Sequence, residues 1–137
     1  MWPIFRLATL ALEMTADPPD DDCCADPRIA SCFDNWTKRR SAGGKPPEMQ
    51  PVSRRLFALL PDVAEARPTV LELGSGSGAM AVSLAASGAR SVDGIDLSPA
   101  SVAVARLRAD EAGVSDRVSF QVGDGSRASV EAHDWVI

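Results

Sequence analysis

Val70-Leu71-Glu72-Leu73-Gly74-Ser75-Gly76-Ser77-Gly78, near the middle of a 137-residue chain, decides how everything around it is read. Thr69–Leu73 is apolar and β-rich, and three glycines at alternate positions follow it at once. Glycines so placed let the chain turn sharply off a strand and bring backbone N–H groups close to a ligand. Ala79–Ser87, small and apolar, reads as the helix after the turn, with Gly88 closing it. The N-terminal end of that helix adds a field of positive sign. Phosphate grooves, dinucleotide sites and plain tight turns all use such a unit. Read as Gly74-x-Gly76-x-x-Ala79, the turn even meets the dinucleotide fingerprint.

Working outward, the units repeat. Ser91–Ile95 is a second short strand, Ser98 caps and Pro99 opens a helix running to Ala112, and Gly113 stops it. Arg117–Val122 alternates, with Val118, Phe120 and Val122 on one side, as a third strand. Asp134–Ile137 begins a fourth; Trp135-Val136-Ile137 is apolar without alternation, as a strand covered on both faces should be. Upstream, Pro51 opens a helix in which Val52, Leu56, Leu59 and Leu60 recur at helical spacing until Pro61. Strands alternating with helices specify a parallel sheet with right-handed crossovers. The expected fold is therefore α/β, a Rossmann-like doubly wound sheet. It is expected to be incomplete, with strands 1–4 only, as the front portion of a larger domain or a truncated product.

Composition shifts near residue 50, which divides an expected extension, 1–50, from the domain at 51–137. The run Pro18-Pro19-Asp20-Asp21-Asp22 should be mobile, and Gly43-Gly44 with Pro46-Pro47 marks a loop. Between them Ser31–Arg39 reads as a short helix with Phe33 and Trp36 on one face. The 14 basic and 19 acidic side chains leave a net charge of −5, which argues against nucleic acid and against an anionic membrane surface as partners. No apolar run approaches the ~18 residues of a membrane span. Met1–Met14 fits a signal peptide poorly, and the expected compartment is cytoplasmic. Cys23, Cys24 and Cys32 suit neither a disulfide framework nor zinc, and no metal site is expected.

Three acidic residues carry the chemistry. Glu72 precedes the first glycine by two positions, so a carboxylate points into the space a pyrophosphate would need, and a cationic ligand suits it better. Asp96, 22 positions after Gly74 at the end of the second strand, can accept both hydroxyls of a ribose, and Leu97 can lie on an adenine face. It could equally serve the helix start at Ser98-Pro99. Asp124, within Gly123-Asp124-Gly125, can accept from an exocyclic amine, although Gly-Asp-Gly also makes a good turn. Asp93 reads as solvated. All three acids end successive strands at the carboxyl edge, where open α/β sheets bind ligands.

Val70–Gly78, Gly94–Pro99 and Val118–Asp124 together resemble the cofactor motifs of the class I S-adenosylmethionine-dependent methyltransferases. Glu-x-Gly-x-Gly-x-Gly is met residue for residue, as is Gly-x-Asp-x-Ser after it, and the resemblance covers about residues 51–137. It implies S-adenosylmethionine as cofactor. Glu72 and the loop of Gly74, Ser75, Gly76 and Gly78 would hold the methionine moiety, Asp96 the ribose, and Leu97 the adenine face. Asp124, between Gly123 and Gly125, would hold the adenine amine. Phe33-Asp34-Asn35-Trp36 resembles a stretch that some small-molecule members place in a lid helix over the cofactor. The implied partner is a small-molecule methyl acceptor. The later strands that shape an acceptor pocket in that family have no counterpart in this sequence.

Methyl transfer from a sulfonium needs positioning above all, and a general base only where the acceptor must lose a proton. His133 and Asp134 are the nearest candidates at a strand tip, and no catalytic residue is assigned. Two other readings stand beside this one: an NAD-type oxidoreductase fragment, against which Glu72 speaks, and a non-catalytic truncated cofactor-binding module. The edge of the fourth strand is expected to promote self-association.

Overall fold

The computed structural model describes residues 26–128 and 133–137. The acidic proline run, Met1–Met14, Cys23 and Cys24 lie outside the described residues. Among the described residues ten elements follow in order: α1 (Pro27–Arg40), α2 (Pro51–Leu59), α3 (Val63–Ala66), β1 (Thr69–Leu73), α4 (Ala79–Ala86), β2 (Ser91–Asp96), α5 (Pro99–Glu111), β3 (Val118–Val122), a 3₁₀ turn (Gly125–Arg127) and β4 (Trp135–Val136). The four strands form one parallel sheet in the order β3-β2-β1-β4, an α/β Rossmann-like fold. The order reverses at β1, so the carboxyl edge beside it is the switch point where such sheets bind ligands.

The core lies on one face of the sheet. Val70, Val92 and Phe120, from β1, β2 and β3, pack against Met80, Ala81 and Leu84 of α4 and Val102, Ala105 and Ala109 of α5. Small residues on both helices let them approach the sheet closely, and two glycines make the closeness obligatory. A Cβ on Gly78 would stand 2.7 Å from Phe120 Cζ and 2.8 Å from Ala105 Cβ; one on Gly94 would stand 2.6 Å from Phe120 Cδ1.

The helix ends follow their caps. Ser98 Oγ accepts from Ser101 N at the start of α5, and Gly113 leaves it at φ +66°. α1 is longer than the expected helix at Ser31–Arg39, because Asp26 caps it, accepting from Arg28 N, and Pro27 fills its first position. α3 was not expected: Asp62 accepts from Ala64 N and Glu65 N, and the turn ends at Arg67, whose φ is +45°.

Two burial expectations fail. Val122 is 51% exposed although it alternates with Phe120, because β3 is the outer strand and the segment after it turns away. β4 is not covered on both faces. Trp135 packs toward the core, but Val136, on the opposite face, is 47% exposed.

Candidate functional site at the carboxyl edge of the sheet

The turn after β1 is held by β2. Gly74 N and Ser75 N both donate to Ile95 O, at 2.8 and 3.0 Å, Gly76 N donates to Asp96 Oδ2 at 2.8 Å, and Gly78 N donates to Ser75 O. Gly74 and Gly76 have φ of +74° and +51°, and a Cβ on either would meet nothing within 4 Å. The loop is therefore an open rim whose N–H groups are largely spent inside the protein. A pyrophosphate cradle needs those same groups free. Gly74, Ser75 and Gly76 nevertheless line the crevice, with their N–H groups engaged within the protein.

Glu72 takes the place that an anion would have. The backbone N–H of Ala81, in the first turn of α4, donates to its carboxylate, while Oε2 is buried without a partner. Burial raises its pKa from 4.5 to about 8; the Ala81 bond works against that shift, and the nearby Asp96 carboxylate adds to it. A cationic ligand group beside Oε2 would satisfy both the missing partner and the missing counter-charge.

Asp96 sits between loop and helix. Oδ2 takes Gly76 N, and Oδ1 takes Ser98 N at 2.9 Å, so it shapes the loop and the start of α5 together. Each oxygen keeps a lone pair for a further donor. Asp124 caps the 3₁₀ turn, accepting from Ser126 N at 2.8 Å and Ser126 Oγ at 2.7 Å. Those bonds hold its carboxyl below the usual carboxylate range. The turn reading and the ligand reading of Asp124 are thus compatible.

Two hollows adjoin at this edge. One, of about 250 Å³, is lined by Glu72, Gly74, Ser75, Gly76 and Asp96, with Phe33 and Trp36 of α1 opposite. The other, of about 500 Å³, is lined by Gly74, Asp96, Leu97, Gly123, Asp124 and Gly125, again with Phe33. Gly74, Asp96 and Phe33 belong to both, so the pair forms one elongated crevice with Asp96 at its waist. Nine of the ten expected site residues line it. Gly78 does not; it is buried under Phe120 and Ala105, where its lack of a side chain serves packing.

Sequence reasoning missed the far wall. Pro47, Glu48, Met49, Gln50 and Ser53 also line the smaller hollow. The Pro47 carbonyl accepts from Arg108 Nη2 of α5, a long-range bond with no local signature. Asp34 was quoted only within a motif, yet it joins α1 to the start of α5 by accepting from Ser98 Oγ and from Ala100 N.

His133 and Asp134 are not in this site. β4 runs parallel to β1 with Val70 opposite Trp135, so both residues lie at the amino edge of the sheet. Asp134 Oδ2 accepts from Thr69 N and Thr69 Oγ1, each at 2.8 Å, and pins β4 to β1. His133 Nε2 lies 2.9 Å from Asp93 Oδ2, and Asp93 also accepts from Ser119 Oγ. Asp93 is thus half-buried and partnered, not merely solvated: burial pushes its pKa up, but the Ser119 and His133 bonds outweigh that and leave it lowered.

A crevice lined by strand-end carboxylates at the switch point of a parallel sheet defines an α/β cofactor-binding domain. Comparison with known proteins narrows the class. The family model for the methyltransferase domain matches residues 70–137, about half of the chain. A protein of Oryza sativa subsp. japonica named "Probable tocopherol O-methyltransferase, chloroplastic" is 44% identical over 69 residues, 50% of this chain and 19% of that one. A ribosomal protein L11 methyltransferase of Pasteurella multocida is 34% identical over 64 residues, 47% of this chain and 22% of that one. Among solved structures, an RNA methyltransferase of Salinibacter ruber in complex with S-adenosyl-L-homocysteine superimposes with a TM-score of 0.57 at 36% identity, covering 66% of this chain and 57% of that one. The chain belongs to the class I S-adenosylmethionine-dependent methyltransferases. It spans about a fifth of the length of these two curated relatives.

Proposed function

We propose that this chain binds S-adenosylmethionine in the crevice between β1, β2 and β3 and serves methyl transfer to a small-molecule acceptor. The observation that carries the proposal is Glu72. Its carboxylate occupies the N-terminal turn of α4, and Oε2 is buried, unpartnered and next to the glycine rim. That arrangement suits a cationic sulfonium and ammonium, and opposes the pyrophosphate of NAD.

The residues fit the cofactor along its length. Glu72 with Gly74, Ser75 and Gly76 would hold the methionine end, Asp96 the ribose hydroxyls, Leu97 the adenine face, and Asp124, flanked by Gly123 and Gly125, the adenine amine. Bound S-adenosylmethionine supplies an electrophilic methyl group. The chain's own part is to orient and exclude: the carboxylates fix the ligand from three strand ends, and Phe33 and Trp36 narrow the approach from solvent. That aromatic wall favours a small acceptor over a bulky one. A protein acceptor is the second reading, since a relative is named for ribosomal protein L11.

Residues 51–137 form the cofactor domain on this reading, with 1–50 as an extension whose helix α1 borders the crevice through Phe33 and Trp36. Among the described residues no helix is long and apolar enough to cross a membrane. Cys32 is exposed on α1 as a free thiol. The outer edge of β4 is the proposed surface for self-association.

Calorimetry with S-adenosylmethionine, S-adenosylhomocysteine and NADH tests the proposal. Binding of the first two, weakened roughly 10- to 100-fold in Asp96→Ala, is expected. Binding of NADH alone would overturn it, and absence of all three would favour a non-catalytic module.

A further inference from the structure

α1 is held to the rest of the molecule in an unusual way. Thr37 is the only buried residue of its 14, and Phe33 and Trp36 on its inner side remain 50% and 43% exposed, facing the crevice. A helix so sparsely packed depends on its polar anchors. Thr37 Oγ1 and Ser101 Oγ lie 2.7 Å apart in a buried hydroxyl pair. Asp34 accepts from Ser98 Oγ and Ala100 N, and so supplies α5 with a second N-terminal cap from another helix. Ser98, fully buried, donates its N–H to Asp96 and its hydroxyl to Asp34. Asp34 is therefore one residue removed from the carboxylate at the waist of the crevice.

We propose that Asp34 is a positioning residue that couples docking of α1 to occupation of the crevice. The coupling runs by two routes. A ligand in the crevice gives Phe33, half-exposed and bordering both hollows, further surface to pack against. A donor engaging Asp96 fixes the carboxylate that orients Ser98, and Ser98 orients Asp34. Either route makes the docked position of α1 more stable when ligand is present, and by reciprocity makes the ligand tighter when α1 is docked. The inference rests on the proposed cofactor reading and adds a gate to it.

Hydrogen exchange of the full chain with and without S-adenosylhomocysteine tests the coupling, alongside calorimetry of Asp34→Ala and Asp34→Asn. In the unmodified chain, ligand should slow exchange of the amides in Pro27–Arg40. Asp34→Ala should bind roughly tenfold more weakly, the scale of one lost cap, and show no ligand-dependent slowing in α1. Asp34→Asn keeps an acceptor for Ser98 and Ala100, and should restore both properties. The inference is overturned if the unmodified chain binds the ligand without slowing of α1. It is equally overturned if Asp34→Ala retains full affinity and full protection. Should Asp34→Ala not fold, the exchange of the unmodified chain and the Asn variant still decide. Failure of the unmodified chain to bind at all would instead strike the cofactor reading.

Discussion

At Glu72 three facts meet: a carboxyl group in the first turn of a helix, an unpartnered oxygen, and a pKa raised to about 8. The folded chain holds this proton more tightly than the unfolded chain, for which 4.5 applies. The group's contribution to stability is therefore fully present below about pH 4.5 and is lost as pH rises through 8. The two values set a ceiling of roughly 5 kcal/mol on the loss. Chemical denaturation between pH 5 and 9 should show Glu72→Gln removing most of this slope and gaining stability over the parent at pH 8. If parent and variant have parallel pH profiles, Glu72 is not the strained acid described. A cationic ligand reverses the penalty, so binding should release protons, read as a dependence of the calorimetric enthalpy on buffer ionisation. Glu72 was legible in the sequence because a charged residue interrupted an apolar strand just before a glycine turn. Its protonation was not legible, since that depends on burial by α4 and on Asp96. The pairing of His133 with Asp93 was hidden for a related reason: the two are 40 residues apart, and only the strand register brings them together.

Most elements follow from local chemistry, and their failures show where that chemistry stops. β1 lies where its apolar run and glycines place it, and α5 runs between its Ser98-Pro99 start and its Gly113 stop. α1 begins earlier than its aromatic pair suggests because the Asp26-Pro27 start was masked by the acidic composition before it. Gly78 fits the cofactor motif by sequence, yet its place under Phe120 shows that one pattern serves two purposes, ligand access at Gly74 and Gly76 and close packing at Gly78. Gly78→Ala should cost ~2–4 kcal/mol in urea unfolding, combining overpacking with its φ of +72°. Gly94→Ala meets mainly the ring of Phe120, so adding Phe120→Leu should recover part of its loss. The same second change should not rescue Gly78→Ala, whose Cβ also meets the Ala105 backbone at 3.1 Å. Equal rescue of both would contradict this account of the packing.

Over the whole molecule, the sheet divides its labour by edge. The carboxyl edge gathers Glu72, Asp96 and Asp124 along one crevice; the amino edge holds Asp134 against Thr69 and fixes β4. Among the described residues β4 has a neighbour on one side only, and Val136 is exposed. Sedimentation should therefore show mass increasing with concentration, and Val136→Lys should reduce it. A monomer at all concentrations would remove the proposed self-association. The central claim, that one adenosyl ligand spans all three strand ends, is tested most directly by amide chemical shifts in a titration with S-adenosylhomocysteine. Saturable shifts at Gly74, Gly76, Leu97 and Asp124, with His133 and Asp134 unmoved, are the predicted result. Shifts centred on the amino edge, or none that saturate, would contradict it.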